Sequence, residues 1–113
     1  MYTETRPWGK FTNLYEDDFC KVKKIEILPG QAPSYQYHYK RDETWTIIQG
    51  SGILRLNDIE FNITSGKTYT IPRMCRHQIK NNSYMPLIFI EIQTGEYFGE
   101  DDIVRLEDNY GRV

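Results

Sequence analysis

Apolar positions recur along this chain in short runs spaced by two, not at helical spacing. The segment "CKVKKIEILPG" alternates Val22, Ile25 and Ile27 with lysines and Glu26 and stops at Pro29-Gly30, a strand that ends in a turn. The segments "SYQYHYK", "ETWTIIQGSGILRLN", "IEFNI", "KTYTIP", "HQIKN" and "PLIFIEIQ" follow, each rich in β-branched or aromatic residues. Between them lie Lys-Arg-Asp, Gly-Ser-Gly, Asn-Asp, Ser-Gly, Pro-Arg and Asn-Asn-Ser, whose backbone preferences suit turns. Short strands so closely spaced predict an all-β sandwich or barrel. Before residue 95 no stretch combines helical periodicity with caps. The tail "TGEYFGEDDIVRLEDNYGRV" is acidic and is expected to be short helix or irregular chain, part of it covering an edge or a barrel mouth through Ile103, Val104, Leu106 and Tyr110.

Composition narrows the class. A chain of 113 residues predicts one domain, residues 1–113, with a single core. Its 39% apolar and 14% aromatic content is far from the signature of disorder. A net charge of −2 provides no broad positive field, so nucleic acid and acidic membranes are not expected partners, and an anionic ligand must meet local arginines. "MYTETRPWGKF" lacks the apolar run of a signal peptide and no segment is long and apolar enough to span a bilayer, which makes the cytoplasm the expected location. Cys20 and Cys75 read as free thiols, although Cys75, two residues before His77, is within reach as a thiolate ligand.

The polar residues inside the strands carry the candidate chemistry. If "SYQYHY" is extended, Gln36 and His38 point to one face, and a turn at Lys40-Arg41-Asp42 brings Glu43 back beside them in a hairpin. Glu43, Trp45, Ile47 and Gln49 share a face, so the carboxylate sits in a largely apolar interior and needs a cation or hydrogen bonds. His77 follows a strand bracketed by Gly66 and Pro72. Each residue alone could be an ordinary strand side chain; it is the spacing that groups them. Glu91, alternating with Ile90 and Ile92, shares a face with Phe89 and Gln93 and is a candidate proton-transfer group. Arg41, Arg73 and Arg76 are candidates for an anionic substrate group, phosphate included, and Trp45 for stacking on a ligand ring.

The spacings G-x5-Q-x-H-x4-E-x6-G from Gly30 to Gly50 and G-x5-P-x4-H-x3-N from Gly66 to Asn81 resemble the two motifs of the cupin superfamily. Members of that superfamily hold a metal between two such hairpins of a small β-barrel, a double-stranded β-helix or jelly roll. Most cupins have histidine where Gln36 stands. The glutamine resembles the type II mannose-6-phosphate isomerases, with a segment near S-x-Q-x-H-x-x-R-x-E-x-W that Ser34, Gln36, His38, Arg41, Glu43 and Trp45 match. "RPWG", "LPG", "IP" and the stretch from Ile90 to Arg112 are similar to that family too. Tyr39, Lys40 and Asp42 depart from its pattern, a change that bears on substrate or efficiency more than on metal binding.

The resemblance implies one divalent metal on Gln36, His38, Glu43 and His77, zinc first, with manganese, iron, cobalt or nickel also suited to an N/O donor set. It implies interconversion of mannose-6-phosphate and fructose-6-phosphate through an enediolate, for nucleotide-sugar or polysaccharide synthesis. Arg105 and Glu107 are then the tail pair implicated in activity. A homodimer with the "RPWGKF" segment at its interface is expected, as is coupling to a separate guanylyltransferase. Two other readings are an iron-dependent oxygenase using His38, Glu43 and His77, and a non-catalytic sugar-binding or regulatory barrel.

Overall fold

The computed structural model describes residues 1–111. They form eleven strands: β1 (Tyr2–Arg6), β2 (Gly9–Glu16), β3 (Cys20–Ile27), β4 (Tyr35–Tyr37), β5 (Arg41–Gln49), β6 (Ser51–Leu56), β7 (Ile59–Thr64), β8 (Thr68–Ile71), β9 (His77–Lys80), β10 (Leu87–Gly95) and β11 (Val104–Glu107). These make two antiparallel sheets, ordered β1-β2-β3-β10-β5-β8 and β11-β4-β9-β6-β7. The all-β expectation holds, and Arg112, where the family-like tail ends, lies outside the described residues.

The strict period of two explains the burial. β5 buries Arg41, Glu43, Trp45 and Ile47, and β10 buries Leu87, Phe89, Glu91 and Gln93 on the same side. Trp8, Phe11, Ile27, Leu54, Ile63 and Phe89 are among the residues that close the core from both sheets. Gly50 separates β5 from β6 with φ of 92°, where a Cβ would lie 2.9 Å from the Pro86 carbonyl oxygen, so the apolar run that reads as one segment must break there.

Three expectations are corrected and one hairpin is new. β4 and β5 are not a hairpin: they lie in different sheets, because β4 ends after three residues and residues 38–40 carry the chain across the barrel. β1 and β2 form an N-terminal hairpin that the apolar pattern does not announce, since most of their residues face solvent. β3 turns Lys21 and Lys23 inward with Ile25 and Ile27, leaving Val22 on the other face, because register follows parity and Val22 is out of step with the isoleucines. The tail is not helical; β11 adds to the free edge of β4.

Candidate metal centre

The barrel gathers its polar interior where β4, β5 and β9 meet. Gln36 of β4 pairs in register with His77 of β9, His38 lies one residue beyond β4, and Glu43 is on β5. One ligand atom from each of His38, Glu43 and His77 lies within 4.8 Å of the others, and all three residues are buried. Gln36, Glu43 and His77 line a cavity of about 130 Å³, shared with Arg41, Trp45 and Glu91.

The donor set fits a divalent cation. His38 Nδ1 donates to the Asp102 carbonyl at 2.7 Å and His77 Nδ1 to the Cys75 carbonyl at 3.0 Å. A carbonyl only accepts, so each imidazole keeps its proton on Nδ1 and its lone pair on Nε2. His77 Nε2 is buried with no hydrogen-bond partner, an unmet lone pair that costs stability unless a cation takes it. His38 Nε2 is 3.2 Å from Glu43 Oε2 and accepts from Arg41 Nη2 at 3.3 Å. The Gln36 side chain, which accepts from Ser34 Oγ at 3.1 Å, can supply a fourth oxygen. Cys75 contributes its carbonyl oxygen; burial pushes its thiol up, away from the thiolate.

Burial pushes His38 down to about 4 and lowers His77 as well, with Glu43 opposing both, so both rings are neutral near pH 7 and competent as ligands. Burial alone would raise Glu43. The charge and hydrogen bonds around it prevail: Arg41 Nε donates to Oε2 at 2.9 Å and Trp45 Nε1 to Oε1 at 2.9 Å, and the carboxyl stays below its ordinary range. Burial pushes Glu91 up to about 8, with Glu43 adding to the rise. Two carboxyls on neighbouring strands are thereby driven apart, one ionised and one protonated near neutrality.

Arg41 does not lie in a turn as expected. It begins β5, is 5% exposed and pairs with Glu43. Trp45 spends its indole N–H on Glu43 and packs edge-on against His77 and near Phe89, which makes it a wall of the cavity. Arg105 lines the cavity, with a buried Nε that has no hydrogen-bond partner. Glu107 is exposed and bound to Arg55 at 3.2 Å. Arg73 pairs with Asp42 and Glu96, and Arg76 with Asp58 and Tyr35. None of Arg73, Arg76 and Glu107 lines the cavity. The residues that sequence reasoning missed are Arg6, Lys23 and Glu100, which do line it; for Lys23 the available signal is the parity of β3 counted from Ile25.

The tail supports the centre from outside. The Asp102 carboxylate accepts from the Tyr39 and Lys40 amides at 3.0 and 2.9 Å while its own carbonyl holds His38. Asp102→Ala is expected to lower metal affinity about tenfold by loosening His38, and to cost about 1–3 kcal/mol through the two uncapped, part-buried amides. Competition against a chromophoric chelator, with a urea melt of the metal-free chain, checks both.

Residues 2–108 match the family model described as "Mannose-6-phosphate isomerase C-terminal". The chain is 39% identical over 107 residues to a mannose-1-phosphate guanylyltransferase of Klebsiella pneumoniae, covering 95% of this chain and 23% of that protein. It is 39% identical to the alginate biosynthesis protein AlgA of Pseudomonas aeruginosa, covering 96% of this chain and 22% of that one. The chain thus spans less than a quarter of the length of these curated relatives. Among solved structures, a K. pneumoniae protein with a double-stranded β-helix domain superposes with a TM-score of 0.76 at 21% identity, over 86% of this chain and 83% of that one. The fold is the cupin-type double-stranded β-helix.

Proposed function

Because the chain belongs to the mannose-6-phosphate isomerase C-terminal family, we propose that it is a metal-dependent aldose–ketose isomerase interconverting mannose-6-phosphate and fructose-6-phosphate. The observation that carries this reading is the convergence of His38, Glu43 and His77 on one buried point beside a second, proton-bearing carboxyl, Glu91. A divalent ion held there by these residues and Gln36, zinc first, would act as a Lewis acid on the substrate carbonyl.

The chain's own residues supply the rest. Isomerisation removes the proton from C2 of the aldose and returns one to C1, while the hydroxyl proton at O2 is lost and O1 gains one. Glu91 is suited to this because a carboxyl at about 8 is present in both protonation states near neutrality. Gln93 Nε2 donates to Glu91 Oε1 at 2.5 Å, which leaves Oε2 for the substrate. Arg105, with its unmatched Nε, is placed to steady negative charge developing on the substrate oxygens. Arg41 holds Glu43 ionised, and Trp45 with Phe89 excludes water from the back of the cavity. Product destined for activated mannose would serve polysaccharide synthesis, in line with the relatives' names, with a guanylyltransferase activity acting downstream, a cytoplasmic setting and a homodimeric enzyme. Among the described residues no helix is long and apolar enough to cross a membrane.

An assay coupling fructose-6-phosphate formation to a dehydrogenase tests this directly. Turnover is expected from the purified chain, lost on chelation and restored by a divalent ion. Absence of turnover with zinc, manganese, iron, cobalt and nickel each restored would sink the proposal, and oxygen uptake with ferrous iron would replace it by the oxygenase reading.

A further inference from the structure

Lys23, Glu43, Trp45 and Glu91, which line the cavity, belong to a three-strand grid. Across β3, β10 and β5, one row of register partners is Lys21, Gln93 and Glu43, and the next is Lys23, Glu91 and Trp45. All six side chains are buried. The metal donors stand at the β5 end of this grid and two lysines at the β3 end. Lys23 is 4% and Lys21 8% exposed, depths at which an ammonium needs a partner. The carboxylate these two lysines share comes from the tail. Glu100 Oε1 accepts from Lys23 Nζ and lies 3.6 Å from Lys21 Nζ, yet the Glu100 side chain is 52% exposed. Arg41 also interacts electrostatically with Glu100, and its Nη1 is buried with no hydrogen-bond partner.

We propose that Lys23 and Arg41, with Lys21 behind them, are the subsite for the substrate's phosphomonoester, and that Glu100 occupies it as an internal stand-in until substrate displaces it. Two lysines meeting one half-exposed carboxylate, with the Arg41 charge acting on it as well, suit a group that carries more charge and three acceptor oxygens. The length fits as well. β3 and β5 are two strand spacings apart, about 10 Å, and a six-carbon chain of bonds of about 1.5 Å spans about 6 Å, leaving room for the contacts at each end. A sugar phosphate so laid has its carbonyl end at the donors, its anion at β3, and Glu91 of β10 beneath it. Arg105 belongs to the other end, because it pairs in register with Gln36.

This assignment rests on the isomerase reading for the identity of the sugar but not for the anion, so inorganic phosphate is the first probe. In calorimetric titration of the full chain, Lys23→Met is expected to weaken phosphate binding about tenfold, the worth of a lost charge-assisted hydrogen bond. Lys23→Arg should restore most of it. Glu100→Gln should tighten phosphate about threefold by removing a half-exposed competitor. In turnover, Lys23→Met should raise KM for mannose-6-phosphate by a similar factor with kcat little changed. A Lys23→Met chain that melts as wild type and binds phosphate equally well overturns the subsite, as does a Glu100→Gln chain that binds phosphate more weakly. Phosphate binding with the expected variant pattern but no isomerisation would retire the isomerase reading alone. Isomerisation with KM indifferent to Lys23 would retire the subsite alone.

Discussion

Glu43→Ala is expected to leave the chain without stoichiometric metal and without turnover. The carboxylate is one of three candidate ligands converging on a buried point, so its loss should exceed the roughly 10- to 100-fold drop in affinity that follows removal of a ligand's supporting partner. It also neutralises buried Arg41, and removing one partner of a buried ion pair costs about 3–5 kcal/mol because the other charge is left uncompensated. Trp45 Nε1 loses its acceptor in the same step. Glu43→Gln separates the two effects. An amide of the same shape can still accept from Trp45 but leaves buried Arg41 without a counter-ion, so only part of the stability should return while metal binding does not. Elemental analysis by mass spectrometry and urea denaturation of both variants check this; an alanine variant with full metal content and a wild-type midpoint would place the metal elsewhere.

Glu91→Gln is expected to lower kcat by about 10²- to 10⁴-fold, the range for a positioned acid–base group, with metal content unchanged. It carries a second signature in stability. Buried Glu91 holds its proton up to about pH 8, whereas in the unfolded chain it releases it near its ordinary value of 4.5. Between those values the folded state binds more protons, so stability falls as pH rises, by up to about 1.4 kcal/mol per pH unit. Between pH 7 and pH 8 Glu91 should cost the wild-type chain about 1 kcal/mol that Glu91→Gln does not lose, while the two histidines, whose ordinary value is 6.5, act equally in both chains and slightly oppose the fall. Urea midpoints at the two pH values, with metal removed, make the comparison. A wild-type chain whose midpoint does not move would mean that Glu91 is ionised, and the proton-transfer role would fall with it.

The centre was partly legible in the sequence. Gln36, His38, Glu43 and His77 stand at motif spacings, and the structure brings the two imidazoles and the carboxylate together. Glu91 was legible from parity alone, since Phe89, Glu91 and Gln93 alternate with outward residues. Arg41 was misplaced because a Lys-Arg-Asp stretch has the composition of a turn, while the ion pair with Glu43 that draws Arg41 inward depends on the β5 register. Arg73, Arg76 and Glu107 were chosen by charge and neighbourhood, and each finds its counter-ion on another element outside the cavity.

What the sequence by itself determined is the material that depends on near neighbours: an all-β chain, the residues that alternate inward on each strand, and the turn glycines. Side-chain parity and turn chemistry act over a few residues, so one chain written in order contains them. What only the tertiary structure decided depends on distant partners. That β4 and β5 part into different sheets, and that the tail lends Asp102 to His38 and Glu100 to Lys23, are outcomes of strand order and register. Those are set by burying one continuous apolar core and by pairing every charge buried with it, a condition on the whole chain at once.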